Sequence, residues 1–454
     1  MTKYELLYSL HGISKEFRKI ELGRDLDKYH SKENYYACIA HLADYGCGID
    51  DIYVTDAMYN NVYYAEPENG VYIELYPFTP ELIDILHLER IPELRKTQNK
   101  HFINHQYSLY YWQVPKALRV YDFERRIKEI PDEYIPKTWL DIYTSVDYGL
   151  NNWDPDILAY VFSLIPRRTD NDYITVYRGE GTHSTAITQA LSWTTDINIA
   201  LWFAVKGEGS RIWKGQVQKK NILFSVTERN EHEVILHPGS IENLAEMDMY
   251  SGDKNTILLL LSSVYEQYLQ FGTLIRKAFD EYHNNSILGR EHAARVMLNC
   301  LLISNENDWV LPEEVTILAI ASVFHDISRI DEGRNKGHGI QSAKIMTHSA
   351  LLDSLDESTK KVIAALIAAH DMSDEQGYDF IRNSEIGMDK DRVIELYQIL
   401  KDADALDRVR LGGYRYEFDY NYLRLDGSKR LVLLTAALYY HNIHNSVLDP
   451  GYGK

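Results

Sequence analysis

The periodicity of the apolar residues changes once along the chain, near residue 250, and that change limits the fold more than any other feature. Between residues 173 and 248 come short β-type runs, 173–177, 222–226 and 233–236, separated by Gly, Asn and Pro turns and interrupted by one helical stretch at 198–204. Beyond the polar break Ser251-Gly252-Asp253-Lys254-Asn255 almost everything reads as helix to about residue 445, including 313–324, 358–369 and 391–408. Strands of period 2 and helices of period 3.6 bury their apolar faces differently, so the two portions are expected as separate domains. Ahead of them, 116–165 looks helical, punctuated by Pro131, Pro136, Pro155 and Pro166. Residues 1–115 alternate Tyr-rich strand-like runs, such as Tyr59-Asn60-Asn61-Val62-Tyr63-Tyr64, with turns such as Glu68-Asn69-Gly70. The expected fold class is multidomain α+β: a mixed domain over 1–115, a β-rich domain over 116–250 and an all-α domain over 255–454.

Charge narrows the partners. Lys and Arg total 48 against 67 Asp and Glu, a net charge of −19, which argues against bulk nucleic-acid binding and against an anionic membrane surface. The most apolar runs, 257–261 and 362–369, fall short of a membrane span. Cys38, Cys47 and Cys300 form an odd set without paired spacing, so neither a disulfide framework nor a zinc ribbon is expected. A reducing location is implied, either the cytoplasm or the cytosol of a target cell. Tyrosine is abundant, at 35 residues, and its clustering in the first third reads as half-buried sheet or contact surface, a candidate target-recognition unit.

Three pieces of the β-rich part fit one chemistry. In Tyr177-Arg178-Gly179 a guanidinium fork can hold a diphosphate, and a glycine lets a ligand approach the backbone. Ser192-Trp193-Thr194 is hydroxyl-rich and precedes a helix. Glu231-His232-Glu233 opens a strand, where alternation puts both carboxylates on one face. This ordered set resembles the mono-ADP-ribosyltransferases of the Arg–Ser–Glu class, a fold shared by bacterial toxins and arginine-modifying ectoenzymes. The most specific part is Glu231-His232-Glu233-Val234-Ile235-Leu236-His237-Pro238-Gly239-Ser240. Two residues depart from the pattern: Trp193 replaces a small middle residue, and His237 stands where Pro is frequent. The resemblance implies that Arg178, Gly179, Ser192, Thr194 and Glu233 bind NAD as a substrate. Glu233 would stabilise the oxocarbenium-like transition state and Glu231 would address the acceptor, which the Glu-x-Glu pattern suggests is a protein arginine. Taken singly, Arg178 and Glu233 read as a sheet-face ion pair and Ser192 as a helix cap.

The helical part carries a second set: Glu291-His292-Ala293-Ala294-Arg295-Val296, Val323-Phe324-His325-Asp326-Ile327, and Lys401-Asp402-Ala403-Asp404-Ala405-Leu406-Asp407. Two imidazoles and two carboxylates suit a divalent Mn, Fe, Co, Ni or Zn and leave positions for water and phosphate. Burying His325-Asp326 beside Val323 and Phe324 is costly without such a partner. These residues look like the HD phosphohydrolase superfamily, whose pattern His … His-Asp … Asp binds metal in an all-α domain; the likeness spans about residues 280–410. By that resemblance His292, His325, Asp326 and Asp404 are the metal ligands, with Mg a further candidate ion. His338, in Gly337-His338-Gly339, and His370, in Ala368-Ala369-His370-Asp371, stand where relatives place phosphate-binding, proton-donating or second-metal histidines, and both also read as surface histidines. Asp402 and Asp407 read as residues behind the ligands or on the helix face.

Together the two resemblances imply a bifunctional enzyme: NAD-dependent ADP-ribosyl transfer, and metal-dependent hydrolysis of a phosphorylated, nucleotide-like substrate that could be the ADP-ribose product itself. The alternative is a nucleotide phosphohydrolase whose transferase-like domain is an inactive nucleotide sensor.

Overall fold

The computed structural model describes residues 17–21, 32–55, 62–75, 90–146, 153–181, 184–206, 211–227, 230–282, 287–329, 337–411 and 418–440. The Tyr-rich stretch 59–61 and the helical reading beyond 440 lie outside the described residues.

Strands β1 (Phe17–Lys19), β2 (Ile52–Thr55), β3 (Val62–Glu66) and β4 (Val71–Glu74) form an antiparallel sheet in sequence order. The β3–β4 connection turns at Gly70, whose φ of 65° is open to glycine at little cost and where a Cβ would lie 2.0 Å from the Tyr110 hydroxyl. Around this sheet lie α1 (Lys32–Asp44), α2 (Ile91–Ile103), α3 (Tyr107–Gln113), α4 (Arg119–Arg126), α5 (Ile135–Ser145) and α6 (Pro155–Ser163). A proline in the first turn starts α2, α5 and α6, and the Asp154 side chain caps α6. The tyrosines of this part are largely core residues: Tyr63, Tyr72, Tyr107, Tyr110 and Tyr111 are buried. Buried Asp122 accepts hydrogen bonds from the Tyr72 hydroxyl at 2.5 Å and the Tyr110 hydroxyl at 2.8 Å.

A second, six-stranded sheet follows: β5 (Tyr173–Glu180), β6 (Ser192–Thr194), β7 (Arg211–Gln218), β8 (Ile222–Val226), β9 (Glu233–Leu236) and β10 (Glu242–Glu246), in the order β10-β7-β5-β6-β9-β8 with every pair antiparallel. Helix α7 (Ile197–Lys206) packs directly on β5. A Cβ on Gly179 would sit 2.0 Å from the Ala200 carbonyl oxygen and 2.5 Å from the Ala204 nitrogen. The side of Gly179 that sequence reasoning reserves for a ligand is therefore filled by helix backbone.

The remainder is helical: α8 (Lys254–Glu281), α9 (Ile287–Asn305), α10 (Pro312–Phe324), α11 (His338–His348), α12 (Glu357–Ala369), α13 (Asp374–Asn383), α14 (Lys390–Asp407), α15 (Asp426–Arg430) and α16 (Val432–Tyr440). Side-chain caps set several starts: Asp253 for α8, Asp356 for α12, Ser373 for α13 and Asp389 for α14. One hydrophobic core runs through these helices and also takes in Ile197, Ala200, Leu201 and Ala204 of α7 and Ile212 of β7. A second core joins Tyr63, Tyr72, Phe123 and Trp139 to Leu191, Leu223, Val226 and Ile235. Burial is thus continuous across residues 115 and 250.

Candidate metal centre

Five helices deliver side chains to one point, four of them from an end. His292 lies within α9, His325 is the C-cap of α10 with Asp326 next to it, His338 opens α11, His370 is the C-cap of α12, and Asp404 and Asp407 lie in the last turn of α14. Helix ends carry spare polar backbone groups, so polar side chains can be oriented there while the apolar middle of each helix stays in the core. His292 Nε2 lies 3.0 Å from His325 Nε2, 3.5 Å from Asp326 Oδ2 and 3.4 Å from Asp404 Oδ1. His338 Nε2 lies 3.0 Å from His370 Nε2 and 2.9 Å from Asp326 Oδ1, and His370 Nε2 is 3.3 Å from that same oxygen. Asp326 therefore faces both histidine pairs.

The far side of each ring is also held. His325 Nδ1 is 2.7 Å from the Ser322 carbonyl and His370 Nδ1 is 2.7 Å from the Ile367 carbonyl. A carbonyl only accepts, so each Nδ1 carries the proton and each Nε2 presents a lone pair to the centre. His292 Nδ1 lies 2.7 Å from Asp407 Oδ2, and His338 Nδ1 is 3.4 Å from Asp371 Oδ2. Arg329 Nη1 pairs with Asp326 Oδ2 at 2.9 Å.

Burial and mutual charge shift these groups strongly. Burial lowers the His292 imidazole, but Asp326, Asp404 and Asp407 outweigh it and push it up to about 10. Burial takes His325 down to about 4. Asp326, although desolvated, is held well below the usual carboxylate range by His325, His292, His338 and His370. Hydrogen bonding and charge from His292 likewise outweigh burial to lower Asp404.

These residues fit a divalent cation. Ligand atoms of His292, His325 and Asp404 lie within 4.8 Å of one another, as do those of His325, Asp326 and His370. Imidazole nitrogens and carboxylate oxygens form the mixed donor set of divalent transition metals. Lone pairs that meet at 3.0 Å repel one another unless a cation or a proton lies between them.

The structure brings all six sequence-predicted residues, His292, His325, Asp326, His338, His370 and Asp404, into this one cluster. Sequence reasoning did not single out Arg295, Arg329 or Asp371. The signal for Arg295 was its place one turn after His292, and that for Asp371 its place beside His370. Asp402 turns away: it accepts from the Arg424 and Leu425 backbone nitrogens and from the Arg424 guanidinium.

Residues 289–409 match the HD domain family model. No curated protein and no solved structure matches the chain. The matched region is helical throughout its described residues and contains every member of the cluster.

The sheet residues form a smaller cluster of their own. Ser192 Oγ donates to Glu233 Oε1 at 2.5 Å, and Arg178 Nη1 donates to the Ser192 carbonyl at 2.6 Å. Thr194 Oγ1 donates to the Glu231 carbonyl at 2.8 Å, and in the β6–β9 register Thr194 lies opposite Glu233. Trp193, the departure from the resemblance, alternates away from this side and is buried in the sheet core, its indole nitrogen bonded to the Ala190 carbonyl. One expectation needs correction. Strand β9 begins only at Glu233, and His232 has a left-handed φ of 48°, so strand alternation does not place Glu231 and Glu233 on one face. Both glutamates are nonetheless buried. Among the described residues no helix is long and apolar enough to cross a membrane.

Proposed function

We propose that the helical part of the chain is a metal-dependent phosphohydrolase acting on a phosphomonoester or phosphodiester of a nucleotide-like substrate. The observation that carries this reading is the convergence of four imidazoles on the Asp326 carboxylate within the residues that match the HD domain. His292, His325, Asp326 and Asp404 would hold the cation, with His370 within reach of a second position. When bound, a divalent cation supplies Lewis acidity, acidifying water and offsetting phosphoryl charge. The protein's own groups do the rest. The Ser322 and Ile367 carbonyls fix the rings of His325 and His370. His338 has a side chain 16% exposed, against 4% for His370 and 0% for His325, and stands at the open side to hold a phosphoryl oxygen or pass a proton to the leaving group. The test is hydrolysis of p-nitrophenyl phosphate and bis-p-nitrophenyl phosphate with Mn2+, in wild type and Asp326→Ala. Turnover that survives the substitution would overturn the assignment.

The sheet cluster supports a second activity, NAD-dependent ADP-ribosyl transfer to a protein acceptor. Its support is the hydrogen-bonded run Arg178–Ser192–Glu233 together with a half-buried Arg178 whose buried Nε finds no hydrogen-bond partner among the described residues. A desolvated guanidinium with a donor to spare favours an anion such as a diphosphate. Arg178 would hold the NAD phosphates, Thr194 would line the site, Ser192 would brace Glu233, and Glu231 would face the acceptor, while Gly179, backed by α7, serves the packing of that helix on β5. If the helical centre acts on the product, incubation with NAD and an acceptor releases AMP, and Asp326→Ala stops at the ADP-ribosylated acceptor. AMP release unaffected by that substitution would sink the link.

A further inference from the structure

The geometry points to Asp407 as a positioning residue that selects the metal-binding tautomer of His292, with Arg295 fixing the carboxylate for that task. This inference rests on the metal-centre reading and deepens it. Asp407 is 3% exposed, and its Oδ2 lies 2.7 Å from His292 Nδ1, on the side of the ring away from Asp326 and Asp404. An ionised carboxylate can only accept, so Nδ1 keeps its proton, and Nε2, which faces His325, Asp326 and Asp404, is the nitrogen left to exchange its proton for a cation.

The other buried rings have no such need. His325 and His370 lean on the carbonyls of Ser322 and Ile367, three residues back in their own helices, so backbone geometry alone sets their tautomers. His292 lies inside α9, where the carbonyl ladder is already used, and its Nδ1 partner must come from another helix. Arg295, one turn further along α9, donates from Nε to Asp407 Oδ1 at 2.5 Å and from Nη2 to Oδ2 at 3.2 Å. The guanidinium fork thus reads both oxygens, and Arg410 adds a longer contact of 3.4 Å. One guanidinium therefore holds the carboxylate that orients the ring one turn away.

The arrangement makes Asn a poor substitute although it matches Asp in shape. If the amide oxygen takes the Oδ1 place, the NH2 group faces Arg295 Nη2 and donates to His292 Nδ1, which moves the ring proton to Nε2 and removes the lone pair from the centre. If the oxygen takes the Oδ2 place, the NH2 group meets the Arg295 Nε–H head-on. A role confined to holding Arg295 predicts instead that losing either partner has the same effect.

The experiment is a Mn2+ titration of the full chain followed by electron paramagnetic resonance of free Mn2+, with wild type, Asp407→Asn and Arg295→Gln. The expected result is about 10- to 100-fold weaker Mn2+ binding in Asp407→Asn and a loss of less than about threefold in Arg295→Gln, which keeps the Asp407–His292 contact. Equal affinity of Asp407→Asn and wild type, or equal losses in both variants, overturns the positioning role alone. A wild type that binds no Mn2+ overturns the metal-centre reading and the inference with it. A second measurement needs no folded Asp407 variant: nitrogen-15 spectra of histidine-labelled, Zn2+-loaded wild type, with His292 assigned by loss of its signal in His292→Gln. A proton on Nδ1 of His292 supports the inference, and a proton on Nε2 overturns it.

Discussion

At the helical centre four imidazoles face four carboxylates, Asp326, Asp371, Asp404 and Asp407, whereas at the sheet centre one guanidinium, Arg178, lies in a hydrogen-bonded run with one carboxylate, Glu233. The first set is assembled on helices that share one apolar core, all but His292 at or near a helix end. The second sits on strands joined at a turn where Asn230 and His232 both take left-handed φ values, 53° and 48°. Charge is concentrated in one place and sparse in the other. The helical set offers the mixed nitrogen and oxygen donors of a divalent cation, and the sheet set offers one half-buried guanidinium whose Nε has no partner among the described residues.

Independence of the two centres is the first thing to break. Glu233→Ala is expected to lower nicotinamide release from NAD by at least about 100-fold, as loss of a group acting on the transition state does, while Asp326→Ala leaves that release at the wild-type rate. Equal release by wild type and Glu233→Ala would remove the transferase reading and leave the sheet as an inactive sensor.

A pH series separates the centres by stability. The folded-state pKa of His292, about 10 against an ordinary 6.5, lies above its unfolded value. Its stabilisation is therefore complete below about 6.5 and is lost as pH rises through 10. Metal-free protein should lose several degrees of Tm between those limits, and His292→Gln should flatten the slope. An unchanged slope in the variant would show that His292 does not couple to the carboxylates as the geometry requires.

Smaller effects probe the packing between the regions. Gly179→Ala drives a methyl group into the α7 backbone and should cost about 1–3 kcal/mol, read as a lower Tm. Asn198 on α7 accepts from the Tyr420 backbone nitrogen at 2.8 Å and donates to Asp419 Oδ1 at 3.2 Å, which ties the sheet side to the segment whose Arg424 holds Asp402. Asn198→Ala should cost about 1 kcal/mol and leave phosphoester turnover unchanged. A loss of turnover there would mean that the two regions are coupled.

The helical centre was legible in the sequence because its chemistry comes in short contiguous pieces, such as His325-Asp326 and Asp402-Ala403-Asp404, on strongly periodic helices. What the sequence left undecided between Asp402 and Asp407 is the direction of each side chain. Packing sends Asp402 to Arg424 and Asp407 to His292, and periodicity alone does not choose between them. The sheet was less legible. Strands β7 and β10 were not read: β7 buries Ile212 and Val217 on either side of polar Lys214 and Gln216, and β10 is exposed along its whole length, so neither shows a strong apolar alternation. The strand-face reading of Glu231 failed because nothing in His232 announces a left-handed backbone. The Tyr-rich segment reads from composition as half-buried sheet or contact surface, whereas Tyr63 and Tyr72 are core residues, because a tyrosine ring packs as readily in a core as at a surface.

Anomalous scattering from crystals of the full chain soaked in Mn2+ tests the central claim most directly. The expected result is a peak within bonding distance of His292, His325, Asp326 and Asp404, absent in Asp326→Ala. A Mn2+ peak elsewhere, or none at this cluster under saturating metal, would contradict it.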